Sequence, residues 1–295
     1  MTALKTNTST LVSAALLLFA AAAHGANGVN EAWNRPIEPY RVAGNIYYVG
    51  TNYLASFLFV TPQGLILLNS DFEESVPLVR ASVEKLGYRF IDVRYLLSSQ
   101  AHNDHSAGNF LVKELTGAKV LAMEGDDDII ANGGKGDFRF DGEISWKPCK
   151  VDRVLHDGDR VTLGGVTLVA HKTPGHTKGC TTWTTTVEED GRKLNVVIVG
   201  GTGINPGVVL LNNPKYPAIV ADYERTFKIL RSLDCDMFLG AHGVYYGLDE
   251  KLKRLKAGDK PNPFIDPAGY REFIDRSEKA FRDQLASEKR AAGKP

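Results

Sequence analysis

Residues 98–109 read SSQAHNDHSAGN, which packs His102, Asp104 and His105 into four positions and places Gln100 two residues ahead of them. The run before it, VRYLL (93–97), is apolar and strand-like, and the run after it, GNFLVKELTG (108–117), has helical spacing with Gly117 as a stop. The cluster is therefore expected in a strand-to-helix loop, where a rigid scaffold presents ligand-binding side chains.

Working outward, NIYYVG, ASFLFV and LILLNS (45–70) are short β-rich runs, with Pro62 to Gly64 as a turn, and residues 74–87 show helical spacing ending at Gly87. KVLAM (119–123) is a further strand, and residues 124–150 are weakly patterned and loop-like. A second β-rich half follows, in which CTTWTTTV and KLNVVIVGG are joined across Asp190-Gly191, a strong hairpin signal. The helix AIVADYERTFKILRSL (218–233) and the strand CDMFLGAH (235–242) then repeat the order of the first half. Strands followed by helices, twice over, suggest two β-sheets packed face to face with helices outside. From Leu248 the chain is charged and helical, with Pro261, Pro263 and Pro267 separating two helices that read as solvated and amphipathic. With no solenoid repeat and no linker, residues 26–295 are expected to form one domain.

The chain has 295 residues, 43% of them hydrophobic, with 35 basic side chains against 35 acidic. A formal charge of zero gives no long-range field for phosphate backbones, so a nucleic-acid partner is not expected. Lys5 precedes the apolar run LVSAALLLFAAAA (11–23), which small residues close around Ala23 and Gly25. That is the form of a secretory signal over residues 1–25, and the run is shorter than the ~20 residues a membrane span needs. Removal of the signal, a periplasmic or secreted location, no membrane partner thereafter and a monomer are the expectations. Three cysteines (Cys149, Cys180, Cys235) allow at most one disulfide, and Cys180 and Cys235 read as small core residues.

Seven histidines occur, and four of them stand at the carboxyl ends of expected strands in Gly- or Pro-containing loops: His102, His105, His176 in TPGHTKG and His242 in FLGAHG. His24, His156 and His171 lack that setting and read as ordinary core or surface residues. Zinc takes imidazole nitrogen and carboxylate oxygen, and a catalytic site needs about three protein ligands plus an open position. Side chains alternate along an extended segment, so Gln100 and His102 point one way, while Asp104 and His105, past the turn, address a second point. His102 with His176 then makes one site, and Asp104, His105 and His242 the other.

At these residues the sequence resembles the metallo-β-lactamase superfamily, whose H-x-H-x-D-H signature stands here as Gln100-Ala101-His102-Asn103-Asp104-His105. The resemblance runs from about Trp33 to Lys256, through TPGHTKGCTTW (173–183), GINPGVVLLNNPKYPAIVADYERTF (203–227) and CDMFLGAHGVYYGLDEK (235–251), and looks like the third subclass of class B β-lactamases. It implies an α/β fold, a four-layer αβ/βα sandwich with one or two zinc ions at one edge. By position it places Gln100, His102 and His176 on the first zinc, and Asp104, His105 and His242 on the second. Gln100 stands where this subclass usually has histidine, although lactamases with glutamine here are known. An amide oxygen is a poorer donor to zinc than imidazole, so the first site should bind more weakly, unless Gln100 only bonds nearby backbone.

The implied activity is hydrolysis of the β-lactam amide of penicillins, cephalosporins and carbapenems by zinc-activated water, with Asp104 as the catalytic residue that orients it. Related lactone, thioester and phosphodiester hydrolases carry a metal-bridging aspartate just before the stretch TGINPG, where this chain has Gly200-Gly201. The substrate carboxylate is held in the family partly by loop serines, matched here by Thr202 and Ile204, of which only Thr202 can donate a hydrogen bond. Asn205 is a further candidate contact. A lactonase or thioesterase, or an exported zinc-binding protein without activity, are the alternatives.

Overall fold

A computed structural model describes residues 30–293; the expected signal segment lies outside the described residues. The first half of the chain builds one sheet. Strands β1 (Tyr40–Ala43), β2 (Ile46–Tyr48), β3 (Phe57–Thr61) and β4 (Gly64–Leu68) form an antiparallel meander. Helix α1 (Val76–Lys85) then carries the chain to β5 (Val93–Leu97), which lies parallel to β4. Two short helices follow, α2 (Asn103–Ser106) and α3 (Asn109–Thr116), the latter closed by Gly117 in the left-handed conformation. Strand β6 (Lys119–Met123), helix α4 (Asp127–Ala131) and strand β7 (Arg153–Leu155) complete a seven-stranded sheet ordered β1 to β7.

The second sheet has five strands, ordered β12-β11-β10-β9-β8. Strands β8 (Arg160–Leu163), β9 (Val166–Lys172), β10 (Thr181–Glu189) and β11 (Arg192–Val199) are antiparallel. The β10–β11 turn is the expected hairpin, with Asp190 at φ 49° and Gly191 at φ 72°, the pair of positive values a tight twisted turn requires. Helix α5 (Ile219–Ser232) crosses over to β12 (Met237–Gly240), which pairs parallel to β11, and α6 (Leu248–Lys256) and α7 (Pro267–Ala292) end the chain.

Alternation in the strands decides the layers. Phe57, Phe59, Ile66 and Leu68 enter the core shared with Trp183 and Val196 of the second sheet, while Leu58, Val60, Leu65 and Leu67 face α1 and α3 through Val76, Val79, Val83 and Val112. Helices α5 and α7 cover the opposite side with Tyr223, Phe227, Phe273 and Phe281. Helices, sheet, sheet and helices is the expected four-layer sandwich.

Three details differ from the sequence reading. The cluster is not wholly in a loop, because His102 is the N-cap of α2 and Asp104 and His105 lie on that one-turn helix. The stretch 124–150 contains α4, too short for a periodic signal, and β7 joins the first sheet. Cys235, expected in the core, is only half-buried, whereas Cys180 is buried as expected and all three thiols are free, within the limit of at most one disulfide.

Candidate metal centre

The cluster is held in place from below. Asn69, just past β4 and at φ 65°, accepts the Ser99 N–H at 2.9 Å and donates to Ala55 O at 3.2 Å, which fixes where the chain leaves β5. Ser106 Oγ donates to the Gln100 carbonyl at 2.7 Å, and Ser70 N to the His105 carbonyl at 3.1 Å. Trp183 closes the floor, its indole N–H donating to Ser98 O at 3.2 Å.

The structure brings all six expected ligand residues to one edge of the sandwich, in two groups. In the first of these to be clear, His105 Nε2 and His242 Nε2 lie 3.1 Å apart, and Asp104 Oδ2 lies 3.3 Å from the former and 3.6 Å from the latter. Donor atoms of these three residues all fall within 4.8 Å of one another, a spacing that one cation can satisfy. His242 reaches the group because the end of β12 is tied across by Ala55 N to Ala241 O at 2.9 Å and Gly243 N to Tyr53 O at 3.0 Å.

In the other group, the His102 and His176 rings meet at 4.8 Å and 81°. His176 Nδ1 bonds Gly203 O at 2.6 Å, which assigns the proton to that nitrogen and leaves Nε2 with its lone pair. Gln100 Nε2 donates to Gly200 O at 3.1 Å, and this bond sets the orientation of the amide: Oε1 is the free end, buried and without a partner. Gly201 sits against both side chains, since a Cβ there would fall 2.7 Å from His176 Cδ2 and 3.3 Å from Gln100 Nε2.

Electrostatics make these groups donors. Burial lowers the imidazoles of His102 and His176, and lowers His242 to about 3, so all three are neutral at pH 7. Burial works to raise the Asp104 carboxyl, but His105, His242 and His102 outweigh it and hold it well below the carboxylate range. One carboxylate with neutral nitrogens, several of whose buried polar atoms are orphaned, is the donor set a divalent cation requires.

Several neighbours escaped the sequence reading. Asp71 is fully buried with both oxygens unpartnered, and burial pushes its carboxyl up to about 7 while His105 pulls it down. Its signal was an acid ending the apolar strand LILLNSD (65–71). Asp137 Oδ2 stands 3.7 Å from His102 Nε2, and its other oxygen accepts the Arg139 and Phe140 N–H groups at 2.8 and 2.6 Å. Phe140 meets the His102 ring edge-on at 5.2 Å, and Tyr53, stacked on Trp33 at 4.6 Å, meets the His242 ring at 5.2 Å. Apart from Trp33, which ends a one-turn 3-10 helix, these lie in loops, where no periodicity marks a residue as part of a site.

The two candidate substrate contacts fall on the segment after β11. Thr202 is buried and its hydroxyl donates to Ser277 of α7 at 3.1 Å, so that donor is already engaged. Asn205 is half-buried, its carbonyl accepting the Val208 N–H at 3.1 Å. Helix α7 holds this segment further along, with Gln284 Nε2 donating to Val208 O at 2.9 Å and Glu288 Oε2 accepting the Leu210 and Leu211 N–H groups at 2.8 and 2.7 Å. Opposite, Arg139 Nε donates to Pro206 O at 2.7 Å.

Solved structures share this fold. The chain is similar to the native FEZ-1 metallo-beta-lactamase from Legionella gormanii, at 46% identity and a TM-score of 0.85, over 87% of this chain and 98% of that one. It is likewise similar to BJP-1, a subclass B3 metallo-beta-lactamase of Bradyrhizobium japonicum, at 36% identity and a TM-score of 0.82, over 88% and 98%. Among curated proteins, a hydroxyacylglutathione hydrolase of Hyphomonas neptunium is 30% identical over 99 residues, which cover 34% of this chain and 30% of that protein. The matched stretch thus spans under a third of that relative's length. A model of the metallo-beta-lactamase superfamily matches residues 56–242, from the start of β3 to the last of the converging histidines, and with that fold and that histidine–aspartate edge the chain belongs to this superfamily.

Proposed function

We propose that this protein hydrolyses the β-lactam amide with zinc, held by Asp104, His105 and His242 as the tighter set and by Gln100, His102 and His176 as the weaker. The observation that carries the choice of substrate is Gly200-Gly201. A Cβ at Gly200 would fall 2.4 Å from Thr181 O, and one at Gly201 would strike His176, so there is no room for the bridging aspartate of the lactone, thioester and phosphodiester hydrolases. The similarity to FEZ-1 over nearly the whole of that chain supports the same choice.

Zinc, when bound, supplies a Lewis acid at the amide carbonyl and acidifies water to a pKa of about 7. The chain's own groups do the rest. Asp104, ionised throughout the neutral range, can accept the hydrogen bond that orients an attacking water. Gly203 O keeps the His176 proton on Nδ1, and the Gly200 carbonyl turns the Gln100 oxygen into the buried end of its amide. Trp33 and Tyr53 set aromatic rings against His242, and Phe140 sets one against His102. The strain of the four-membered ring lets its amide open without a side-chain nucleophile. The apolar N-terminal run supports export, and among the described residues no helix is long and apolar enough to cross a membrane.

The partial identity to hydroxyacylglutathione hydrolases favours thioester hydrolysis as the second reading. His242→Ala tests the ligand division: turnover should fall by more than the ~100-fold that loss of an outer partner of a metal ligand costs, with loss of the tighter zinc. Wild-type turnover and zinc content in that variant would show the division to be wrong. Gln100→His should raise zinc occupancy of the weaker set, read by competition with a chromophoric chelator.

A further inference from the structure

We propose that Asp126 is a positioning residue: its carboxylate clasps the two chain segments that carry Gln100, His102 and His176, and so builds that ligand set before any metal arrives. The proposal rests on the reading of those three residues as a metal site.

Asp126 is 2% exposed and sits between β6 and α4. It occupies the N-cap position of α4, where an aspartate normally accepts a backbone N–H of its own helix. Here it makes no such bond. Its side chain turns away from the helix instead, toward two segments remote in sequence. Oδ2 accepts the Ala101 N–H at 2.9 Å and the Thr177 hydroxyl at 2.7 Å, and Oδ1 accepts the Gly179 N–H at 2.8 Å.

The partners are what give the contact its meaning. Ala101 is the residue between Gln100 and His102, and Thr177 is the residue after His176. One carboxylate therefore reads the backbone position of all three candidate ligands. Gly179 lets the second segment come this close, because a Cβ there would fall 2.5 Å from Asp126 N and 2.8 Å from Asp126 Cβ. A buried pair of loops joined by three hydrogen bonds to one side chain has one relative placement. Asp104, His105 and His242 take no bond from Asp126 among those the structure shows. The clasp thus bonds directly beside each member of one ligand set, the one in which an amide oxygen replaces an imidazole, and reaches Asp104 and His105 only through the turn that follows His102.

The test compares the full-length mature wild type with Asp126→Asn and Thr177→Val. The asparagine keeps the shape but turns an N–H₂ toward a donor; the valine removes one bond of the three. Two properties are read: amide hydrogen exchange of the metal-free proteins over residues 98–102, 174–181 and 237–243, and zinc affinity by competition with a chromophoric chelator. D126N should speed exchange in the first two segments together and leave the third unchanged. Any weaker zinc step should fall 10–100-fold, the range for loss of an outer-shell partner, while the tighter step stays within ~3-fold. T177V should move the same readings less, and it alone decides the matter if D126N does not fold. Exchange that rises in one segment only or in none, or a tighter step that weakens in parallel, overturns the proposal. A wild type without β-lactam hydrolysis would contradict the proposed activity and leave the exchange result standing.

Discussion

Lys251 is the buried cation whose neighbours define its role. It is 7% exposed, with Nζ 2.8 Å from Asp266 Oδ2 and the rings of Phe238 and Tyr246 at 5.6 and 5.9 Å. Burial works to raise the Asp266 carboxyl, but Lys251 and the Gly269 N–H outweigh it and lower it. A depressed carboxylate contributes stability above its unfolded pKa of ~3.9 and loses it as pH falls through the lower folded value. Asp266→Asn keeps an N-cap for α7 and strands Lys251 without a counter-charge, which should cost about 3 kcal/mol at pH 7. Measured by urea unfolding, the gap to wild type should close as the pH drops below ~4; a constant gap would mean that packing, not charge, is lost. The same scale shows what a sequence can and cannot say of Gln100. Its place in the signature was legible, as was its chemical weakness as a donor. The fate of its amide was not, because Gly200 lies a hundred residues away and only folding brings that carbonyl to Nε2.

Elements with a strong local period were readable, and the hairpin at Asp190-Gly191 was readable from two residues, because each depends on neighbours in sequence. Helix α7 was readable only in part. Its solvated charged face was expected, yet Tyr270, Phe273, Ile274, Phe281 and Leu285 bury a full stripe, and Ser277, Gln284 and Glu288 reach the segment after β11, some 75 residues earlier. Nothing in the spacing of α7 announces that, since polar side chains at those positions look alike whether they meet water or a distant backbone. The consequence is a prediction for the element as a whole. Glu288→Ala removes the acceptor of the Leu210 and Leu211 N–H groups and should loosen the segment that carries Thr202 and Asn205. KM for a β-lactam should rise ~10-fold, about 1.4 kcal/mol, with kcat and zinc content unchanged. A matching fall in kcat would instead assign α7 a role in placing the reacting groups.

At the scale of the whole molecule, the sandwich was legible because the strands-then-helices order occurs twice and alternation in β3 and β4 supplies apolar residues to two different layers. The edge where the four histidines meet was legible because each follows a strand at its carboxyl end. What the sequence left open was the buried carboxyls beside that edge, Asp71, Asp126 and Asp137, since only the packed sheets bring each of them to it. The assembled edge makes one demand above the others, that β-lactam hydrolysis depend on metal. Purified protein should hydrolyse a carbapenem and a cephalosporin, lose that activity to a chelator and regain it with zinc. Near one zinc per chain by elemental analysis would place the activity on Asp104, His105 and His242 alone, and near two would make Gln100 a working ligand. Zinc-loaded protein that leaves both β-lactams intact would contradict the account, with the fold retained and the substrate to be sought among thioesters and lactones.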